Sequence, residues 1–234
     1  MLYPDICIPL LNTPHTLIAG TTGSGKSVLM NDCVCSIISE RACVVVIDLK
    51  RVELAQYRRS RYCIDYCTEP ERVVSTLDSV IALMERRYKT MDGRMSEDYD
   101  LFVVVDELAD TVSNKKVLER LIKIGRLGRA ARIHLLCATQ DPSRRTLRAD
   151  LMQNFTCTVA LRCRSAIESR QIIGVPGAEK LPLYGQAYRW DARGVTRFDV
   201  PLTPDNEIDR LISETSGPSA RPNSLKQSIL SLFA

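Results

Sequence analysis

The stretch Gly20-Thr21-Thr22-Gly23-Ser24-Gly25-Lys26-Ser27 matches the pattern G-x-x-x-x-G-K-[ST] of a phosphate-binding loop. The apolar run at residues 15–19 favours a buried strand before it, and residues 28–38 favour a helix after it. This order of strand, glycine-rich turn and helix is the context that the motif requires, and it argues against an accidental glycine-rich turn. The stretch therefore predicts a nucleotide site at the start of that helix.

Individual positions of the loop have distinct expected roles. Gly23 and Gly25 allow backbone conformations that a Cβ atom would forbid. The backbone N–H groups and the helix dipole would then face an anion. Lys26 would reach the β- and γ-phosphates, and the Ser27 hydroxyl would bind Mg²⁺. The residues expected to contact ATP are Gly20, Thr21, Thr22, Gly23, Ser24, Gly25, Lys26, Ser27 and Val28.

A pair of acidic residues follows the apolar run Leu101-Phe102-Val103-Val104-Val105. Ligands of open parallel sheets bind at the carboxyl ends of the strands, which is where Asp106 and Glu107 would lie. We expect Asp106 to hold Mg²⁺ through water and Glu107 to orient or deprotonate the attacking water. The alternative is a solvent-exposed acidic turn, which the phosphate-binding loop upstream disfavours.

Polar residues also follow the buried run at residues 133–139. Gln140 is placed to sense the γ-phosphate, and a simple strand-end amide is the alternative. The next segment, a loop and helix start, carries three basic residues: Arg144, Arg145 and Arg148.

The composition fits one α/β domain with a full core, because 45% of the 234 residues are hydrophobic. No run of 18 apolar residues and no signal-peptide pattern are present, so neither membrane insertion nor secretion is expected. A net charge of +4 permits a nucleic-acid partner without requiring one. The nine cysteines fit no zinc spacing, and their odd number predicts a reducing cytoplasm. Four are expected to be small hydrophobes in or beside strands: Cys43, Cys137, Cys157 and Cys163.

Hydrophobic periodicity predicts alternating strands and helices, hence a mostly parallel sheet with helices on both faces. Besides residues 15–19 and 101–105, strands are expected at 42–48, 61–66, 133–140 and 155–161, and a C-terminal β-hairpin at 187–190 and 195–200. Helices are expected at about 26–39, 51–58, 70–91, 114–130, 165–173 and 203–212. The acidic pair, with a strand between it and the loop, indicates the RecA-like branch of P-loop proteins. Residues 1–213 would form the motor domain and 214–234 a flexible tail.

The helix at about 70–91 has the clearest pattern. Residues 68–71 resemble a capping box with Pro70 in the first turn, and Asp92-Gly93 would end the helix. Three basic side chains near its C-terminal end are expected to be solvated and to suit the helix dipole, with a DNA-facing role as the alternative: Arg86, Arg87 and Lys89.

The ordered motifs resemble the FtsK/SpoIIIE family of DNA-translocating ATPases, within the FtsK–HerA group. The resemblance covers roughly residues 14–200. It is carried by residues 14–27 (the loop), 46–50 and 53–54 (second strand), 84–89 (the helix before the acidic pair), 105–110 (the acidic pair), 129–143 (a strand ending in Thr139-Gln140), 169–170 and 177–179.

This resemblance implies a ring of six subunits, with ATP between subunits and duplex DNA in the pore. Candidates for contacts with that DNA are Arg144, Arg145 and Arg148, and a solvated basic patch is the alternative. It also suggests Arg129 as an arginine finger reaching a neighbour's γ-phosphate, with Arg126 and Arg170 as competitors. The expected function is an ATPase that moves double-stranded DNA, for plasmid or conjugative transfer or for segregation. The alternatives are an ATPase for protein export, like type VII secretion, and a non-hydrolysing nucleotide-dependent adaptor.

The sequence departs from the family pattern at several places. Asp141 stands where the family has Arg, and Arg132 where it has Gly. The segment between Met91 and Leu101 is short, and the domains that precede and follow the motor in long family members are not recognised. We therefore expect a minimal motor that works with a membrane-anchored or element-encoded partner protein.

Overall fold

The strand before the phosphate-binding loop is β1 (His15–Ala19), which lies between β5 (Ile133–Thr139) and β6 (Cys157–Ala160). The computed structural model describes residues 10, 13–91, 96 and 98–216, and within them one sheet has eight strands. The other strands are β2 (Cys43–Ile47), β3 (Cys63–Cys67), β4 (Leu101–Val105), β7 (Gln186–Asp191) and β8 (Gly194–Asp199). Their order is β3-β2-β4-β5-β1-β6-β7-β8.

Strands β1 to β6 run parallel, and the hairpin β7–β8 adds to β6 antiparallel. Strands β1, β2, β4, β5 and β6 are buried along their whole length. Because both faces of a parallel sheet are covered, these strands are mostly apolar and do not alternate between apolar and polar residues. The predicted sheet and its C-terminal hairpin are confirmed.

Helices cover both faces of this sheet, as predicted. They are α1 (Lys26–Ser39), α2 (Pro70–Thr90), α3 (Leu108–Val112), α4 (Lys115–Leu127), α5 (Ala149–Met152), α6 (Ala166–Ile173) and α7 (Asp205–Thr215). On one face α2 and α4 bury Leu77 and Leu121, and on the other α1 and α7 bury Met30 and Leu211.

Two predicted helices differ from the observed elements. Residues 51–58 do not form an α-helix, and only a 3₁₀ turn is present at Ala55–Arg59. The helix expected at 114–130 is preceded by α3 and ends in a 3₁₀ turn at Gly128–Ala131. Asn114 separates α3 from α4 because its side chain accepts a 2.9 Å hydrogen bond from the backbone N–H of Lys116. Helix α7 also extends past the expected end at 212, to Thr215.

The predictions for the ends of α2 are partly wrong. Pro70 begins the helix, but no capping box forms, because Thr68 donates to the carboxylate of Glu69 next to it. Arg87 is not solvated: it is 2% exposed and donates to the carbonyl oxygens of Ala131 and Tyr99 at 2.6 and 2.8 Å. This buried guanidinium ties α2 to the turn before β5. The predicted stop at residues 92–93 lies outside the described residues.

The four cysteines expected in or beside strands are buried, in agreement with the prediction. Among the described helices, none has the length and apolar character needed to cross a membrane. Residues 217–234, most of the predicted flexible tail, lie outside the described part of the chain.

Candidate functional site

The loop at residues 20–27 joins the carboxyl end of β1 to the first turn of α1. Gly23 and Gly25 have φ values of 77° and 89°, a left-handed conformation in which a side chain would be strained. Gly20 is needed for a different reason, since a Cβ atom there would lie 2.7 Å from the Cβ atom of Leu161. The first N–H groups of α1 lack intrahelical acceptors, so they can bind an anion held in the loop.

A cavity of about 370 Å³ opens above this loop, a volume within the range of small-molecule sites. Its lining residues are Thr21, Thr22, Gly23, Gly25, Lys26, Ser27, Val28, Glu53, Gln140 and Tyr184. The structure thus brings most of the predicted nucleotide contacts together. Gly20 and Ser24 are the exceptions, because Gly20 packs against Leu161 and Ser24 is fully buried.

Lys26 and Asp106 form a buried ion pair at the edge of this cavity. Lys26 Nζ lies 3.8 Å from Asp106 Oδ1, and the two side chains are 5% and 2% exposed. Burial raises the pKa of Asp106, and it outweighs the opposing effect of Lys26. Nearby Asp48 and Glu53 also raise that pKa. The site therefore has excess negative charge that a cation would neutralise.

Asp106 Oδ1 accepts no hydrogen bond in the described structure although it is buried. An orphaned carboxylate oxygen surrounded by further acidic groups is a suitable ligand for a hard divalent cation. The Ser27 hydroxyl belongs to the same cavity. Asp106 and Ser27 together therefore fit Mg²⁺, the ion that the loop motif implies.

Glu107 is held by partners from neighbouring strand ends. Its Oε1 accepts a 2.7 Å hydrogen bond from the hydroxyl of Thr139, and the backbone N–H of Gln140 donates to both carboxylate oxygens at 3.2 Å. Lys50, which follows β2, lies 3.5 Å from Oε2. The carboxylate also accepts from the backbone N–H of Ala109 and caps α3. The carboxylate predicted to act on the attacking water is therefore fixed in one orientation rather than exposed in an acidic turn.

Sequence reasoning missed the parts that Thr139 and Lys50 have in this arrangement. Thr139 is fully buried at the end of β5, and Lys50 is two residues beyond Asp48 after β2. Both are polar residues at or shortly after the end of a buried apolar run, a signal similar to the one that identified the acidic pair. Gln140 lies where it was predicted, in the cavity lining.

The geometry can now be compared with known proteins. Residues 6–100 match the model of the FtsK/SpoIIIE family. The DNA translocase FtsK of Staphylococcus aureus (strain Mu50) is 35% identical in an alignment of 205 residues that covers 75% of this chain and 26% of that protein. The DNA translocase SftA of Bacillus subtilis is 34% identical in an alignment of 234 residues that covers 89% of this chain and 25% of that protein. The chain belongs to the FtsK/SpoIIIE family.

The chain spans about a quarter of the length of these FtsK/SpoIIIE relatives. Among solved structures, the cytoplasmic domain of the Thermomonospora curvata type VII secretion ATPase EccC aligns with a TM-score of 0.76 and 28% identity, covering 90% of this chain and 29% of that one. The pCW3 conjugation coupling protein TcpA, solved as a monomer with ATPγS, aligns with a TM-score of 0.77 and 20% identity, covering 88% and 66%. The predicted P-loop ATPase fold is confirmed.

The arginines suggested for DNA contacts follow β5. They are therefore on the same side of the molecule as the cavity, at the carboxyl ends of the strands, but they do not line the cavity. Arg144, Arg145 and Arg148 are all exposed, and Arg148 pairs with Asp150 at 2.9 Å. Asp141, the departure from the family pattern, organises this segment by accepting hydrogen bonds from the hydroxyls of Ser143 and Thr146, both at 3.0 Å. The arginines thus project from a structured loop beside the nucleotide cavity.

The candidate arginine finger, Arg129, lies at the amino-terminal ends of the strands, opposite the ends that border the cavity. Arg129 is exposed in the 3₁₀ turn that precedes β5, whereas the cavity lies beyond the other end of that strand. A seven-residue strand is about 23 Å long, so Arg129 cannot reach the cavity of its own chain. Arg126 is in the last turn of α4 on the same side, and Arg170 is on α6; neither lines the cavity.

Proposed function

We propose that this chain is the motor of an ATP-driven translocase for double-stranded DNA, with ATP and Mg²⁺ bound in the cavity above the loop. The observation that carries the ATPase proposal is the anchored carboxylate of Glu107, which follows Asp106, the partner of the loop residue Lys26. A non-hydrolysing adaptor would not require this complete set. The intact set therefore favours turnover over mere nucleotide binding.

Each group has a defined task in this proposal. Loop N–H groups and Lys26 bind the phosphates, while Ser27 and Asp106 hold Mg²⁺. When bound, Mg²⁺ neutralises negative charge on the phosphate oxygens. Glu107 orients the attacking water and accepts its proton as the water oxygen bonds to the γ-phosphorus and the bond to ADP breaks. Gln140 senses whether the γ-phosphate is bound.

In this proposal the subunits form a hexameric ring. The position of Arg129 is an argument for such a ring. Since Arg129 lies across the sheet from its own cavity, it can stabilise developing charge only in the site of a neighbouring chain. Such a finger contributes strongly to the turnover of related P-loop enzymes. The sites would then be completed between subunits, as the family resemblance implies.

The proposed cargo is DNA because the relatives FtsK and SftA are DNA translocases. Exposed Arg144 and Arg145 are candidates for contacts with backbone phosphates, which would make binding salt-dependent and weakly sequence-selective. Protein export is the second candidate, since EccC, a type VII secretion ATPase, is 28% identical and shares the fold. The fold shared with TcpA, a conjugation coupling protein, is compatible with DNA transfer by a mobile element. A separate membrane-anchored or element-encoded partner is a further part of this proposal.

A triplex-displacement assay on linear duplex DNA tests movement directly. We expect the chain to release a third strand in the presence of ATP, and Glu107→Gln to bind ATP without releasing the strand. Asp110→Asn is the matched control, because Asp110 is near Lys50 but does not line the cavity. ATP turnover without strand release would overturn the DNA proposal and favour protein export. Normal turnover by Glu107→Gln would overturn the assignment of the catalytic carboxylate.

A further inference from the structure

Tyr184 is the one aromatic residue among those that line the nucleotide cavity. Its side chain is 71% exposed, although it stands directly beside the loop. The Cβ atom of Tyr184 is 3.8 Å from the position that a Cβ atom on Gly25 would occupy. A large ring therefore stands at the cavity mouth with most of its surface uncovered.

The backbone on either side holds this ring in place. Leu181, three residues earlier, is 3% exposed in the core. Gly185, the next residue, has a φ of 87°, and its carbonyl oxygen accepts a 2.9 Å hydrogen bond from the backbone N–H of Val200. Tyr184 is thus carried by a short segment fixed at both ends, and its exposure does not come from a long free loop.

Tyr184 stands beside Gly25 at the start of α1, and the catalytic groups indicate which part of a bound nucleotide would reach it. Lys26 and Gln140 mark the end at which the γ-phosphate would bind, because Lys26 pairs with Asp106 and Gln140 contacts Glu107. The first turn of α1 faces the α- and β-phosphates. A nucleotide anchored in this way would extend its ribose and base past the helix start, where Tyr184 stands.

Val28 provides an apolar surface at the same end. It is 38% exposed in the first turn of α1 and lines the cavity with Tyr184. A flat nucleobase needs apolar surface on its faces, and an aromatic ring supplies it regardless of which base is bound. We propose that Tyr184 and Val28 form the base subsite, in which the phenol ring stacks on the adenine of ATP. This inference rests on the proposed binding of ATP in the loop.

Binding measurements with Tyr184→Ala, Tyr184→Phe and Leu183→Ala test the subsite. Leu183 is the matched control, since it is 48% exposed in the same segment but does not line the cavity. We expect Tyr184→Ala to weaken ATP binding about tenfold, at the lower end of stacking contributions, and to leave the affinity for inorganic tripolyphosphate unchanged. Tyr184→Phe and Leu183→Ala should bind both ligands as the unaltered chain does.

Two outcomes would overturn the inference in distinguishable ways. If the unaltered chain binds ATP in a Lys26-dependent manner and Tyr184→Ala binds it equally well, the base subsite is wrong while the proposed function stands. If the unaltered chain shows no Lys26-dependent ATP binding, both fail. An equal loss of ATP and tripolyphosphate affinity in Tyr184→Ala would also overturn the subsite, because it would indicate a distorted loop.

A fluorescent version gives a second readout. Trp190 is the only tryptophan in the sequence, so Tyr184→Trp in a Trp190→Phe background carries a single reporter at the proposed subsite. We expect ATP to change its emission and tripolyphosphate to leave it unchanged. Identical responses to the two ligands, or no response to bound ATP, would contradict stacking.

Discussion

The hydroxyl of Thr22 in the phosphate-binding loop donates a 2.7 Å hydrogen bond to the side-chain oxygen of Gln140. The backbone N–H of Gln140 in turn donates to both carboxylate oxygens of Glu107. Gln140 therefore connects the loop to Glu107, the proposed general base. Its side-chain oxygen is occupied by Thr22, which leaves the amide N–H₂ group to face a bound γ-phosphate.

Gln140→Ala should uncouple phosphate binding from hydrolysis. We expect the turnover number to fall at least about tenfold, roughly the loss of one charge-assisted hydrogen bond in the transition state, while ATP affinity changes little. The backbone N–H that holds Glu107 remains in this variant. Thr22→Val, which removes only the donor to Gln140, should have a smaller effect. Steady-state kinetics with both variants measure this, and unchanged turnover in Gln140→Ala would contradict the coupling.

Mixtures of inactive subunits test whether Arg129 acts on a neighbour. Arg129→Ala mixed with Lys26→Ala should regain part of the ATPase activity, because some interfaces then combine an intact loop with an intact arginine. Glu107→Gln mixed with Lys26→Ala is the control, since both changes damage the catalytic site of the same chain. That mixture should stay inactive. Equal inactivity of the two mixtures would remove Arg129 as the finger and leave Arg126 and Arg170 to be tested.

Arg132 occupies a left-handed backbone conformation with a φ of 53°, where the family has glycine. Its guanidinium donates to Asp100 at 3.1 Å, and Asp100 also contacts His134. Arg132→Ala and Arg132→Gly both lose this ion pair, but only glycine relieves the backbone strain. We expect the free energy of unfolding of Arg132→Gly to exceed that of Arg132→Ala by about 1 kcal/mol. Equal stability of the two variants in urea denaturation would show that the turn is unstrained.

The stability of the fold should depend on pH through His15. Burial, with a further contribution from nearby His134, lowers the pKa of His15 to about 3 in the folded chain. The unfolded chain, with an ordinary histidine pKa, binds the extra proton below about pH 6.5, so stability falls as the pH decreases. Between pH 7 and 5 the loss from this group amounts to about 2 kcal/mol.

His15→Gln provides the comparison for this pH dependence, because the side-chain oxygen of glutamine can replace the nitrogen that accepts the backbone N–H of Leu135. We expect the free energy of unfolding of the variant to decrease less between pH 7 and 5 than that of the unaltered chain. Parallel pH profiles for the two proteins would mean that His15 is not held neutral by the fold.

The sequence was sufficient for the features that depend on local pattern. The loop at residues 20–27, the acidic pair and the strand before Gln140 each combine a periodic apolar run with a polar end, and all lie where expected. The failures depend on tertiary contacts. Arg87 has the sequence signature of a solvated helix end, but three-dimensional packing buries it against the carbonyl oxygens before β5.

Residues distant in the chain were also beyond sequence reasoning. Tyr184 lies next to Gly25 only because the segment that leads into β7 passes over the start of α1. Thr139 and Lys50 meet Glu107 because β2, β4 and β5 are neighbours in the sheet, an order that strand periodicity does not determine. Arg129 lies at the other end of β5 from the cavity of its own chain, and its role as an arginine finger stays a prediction.

The central claim, a motor driven by ATP and acting on duplex DNA, is tested most directly by ATP hydrolysis with and without linear duplex DNA. The reaction should be run at about 50 and 200 mM salt, the range over which phosphate contacts weaken markedly, with Glu107→Gln as the blank. We predict strong stimulation by duplex DNA at low salt and a clear decrease at high salt. Hydrolysis that is indifferent to DNA at both salt concentrations would contradict the claim.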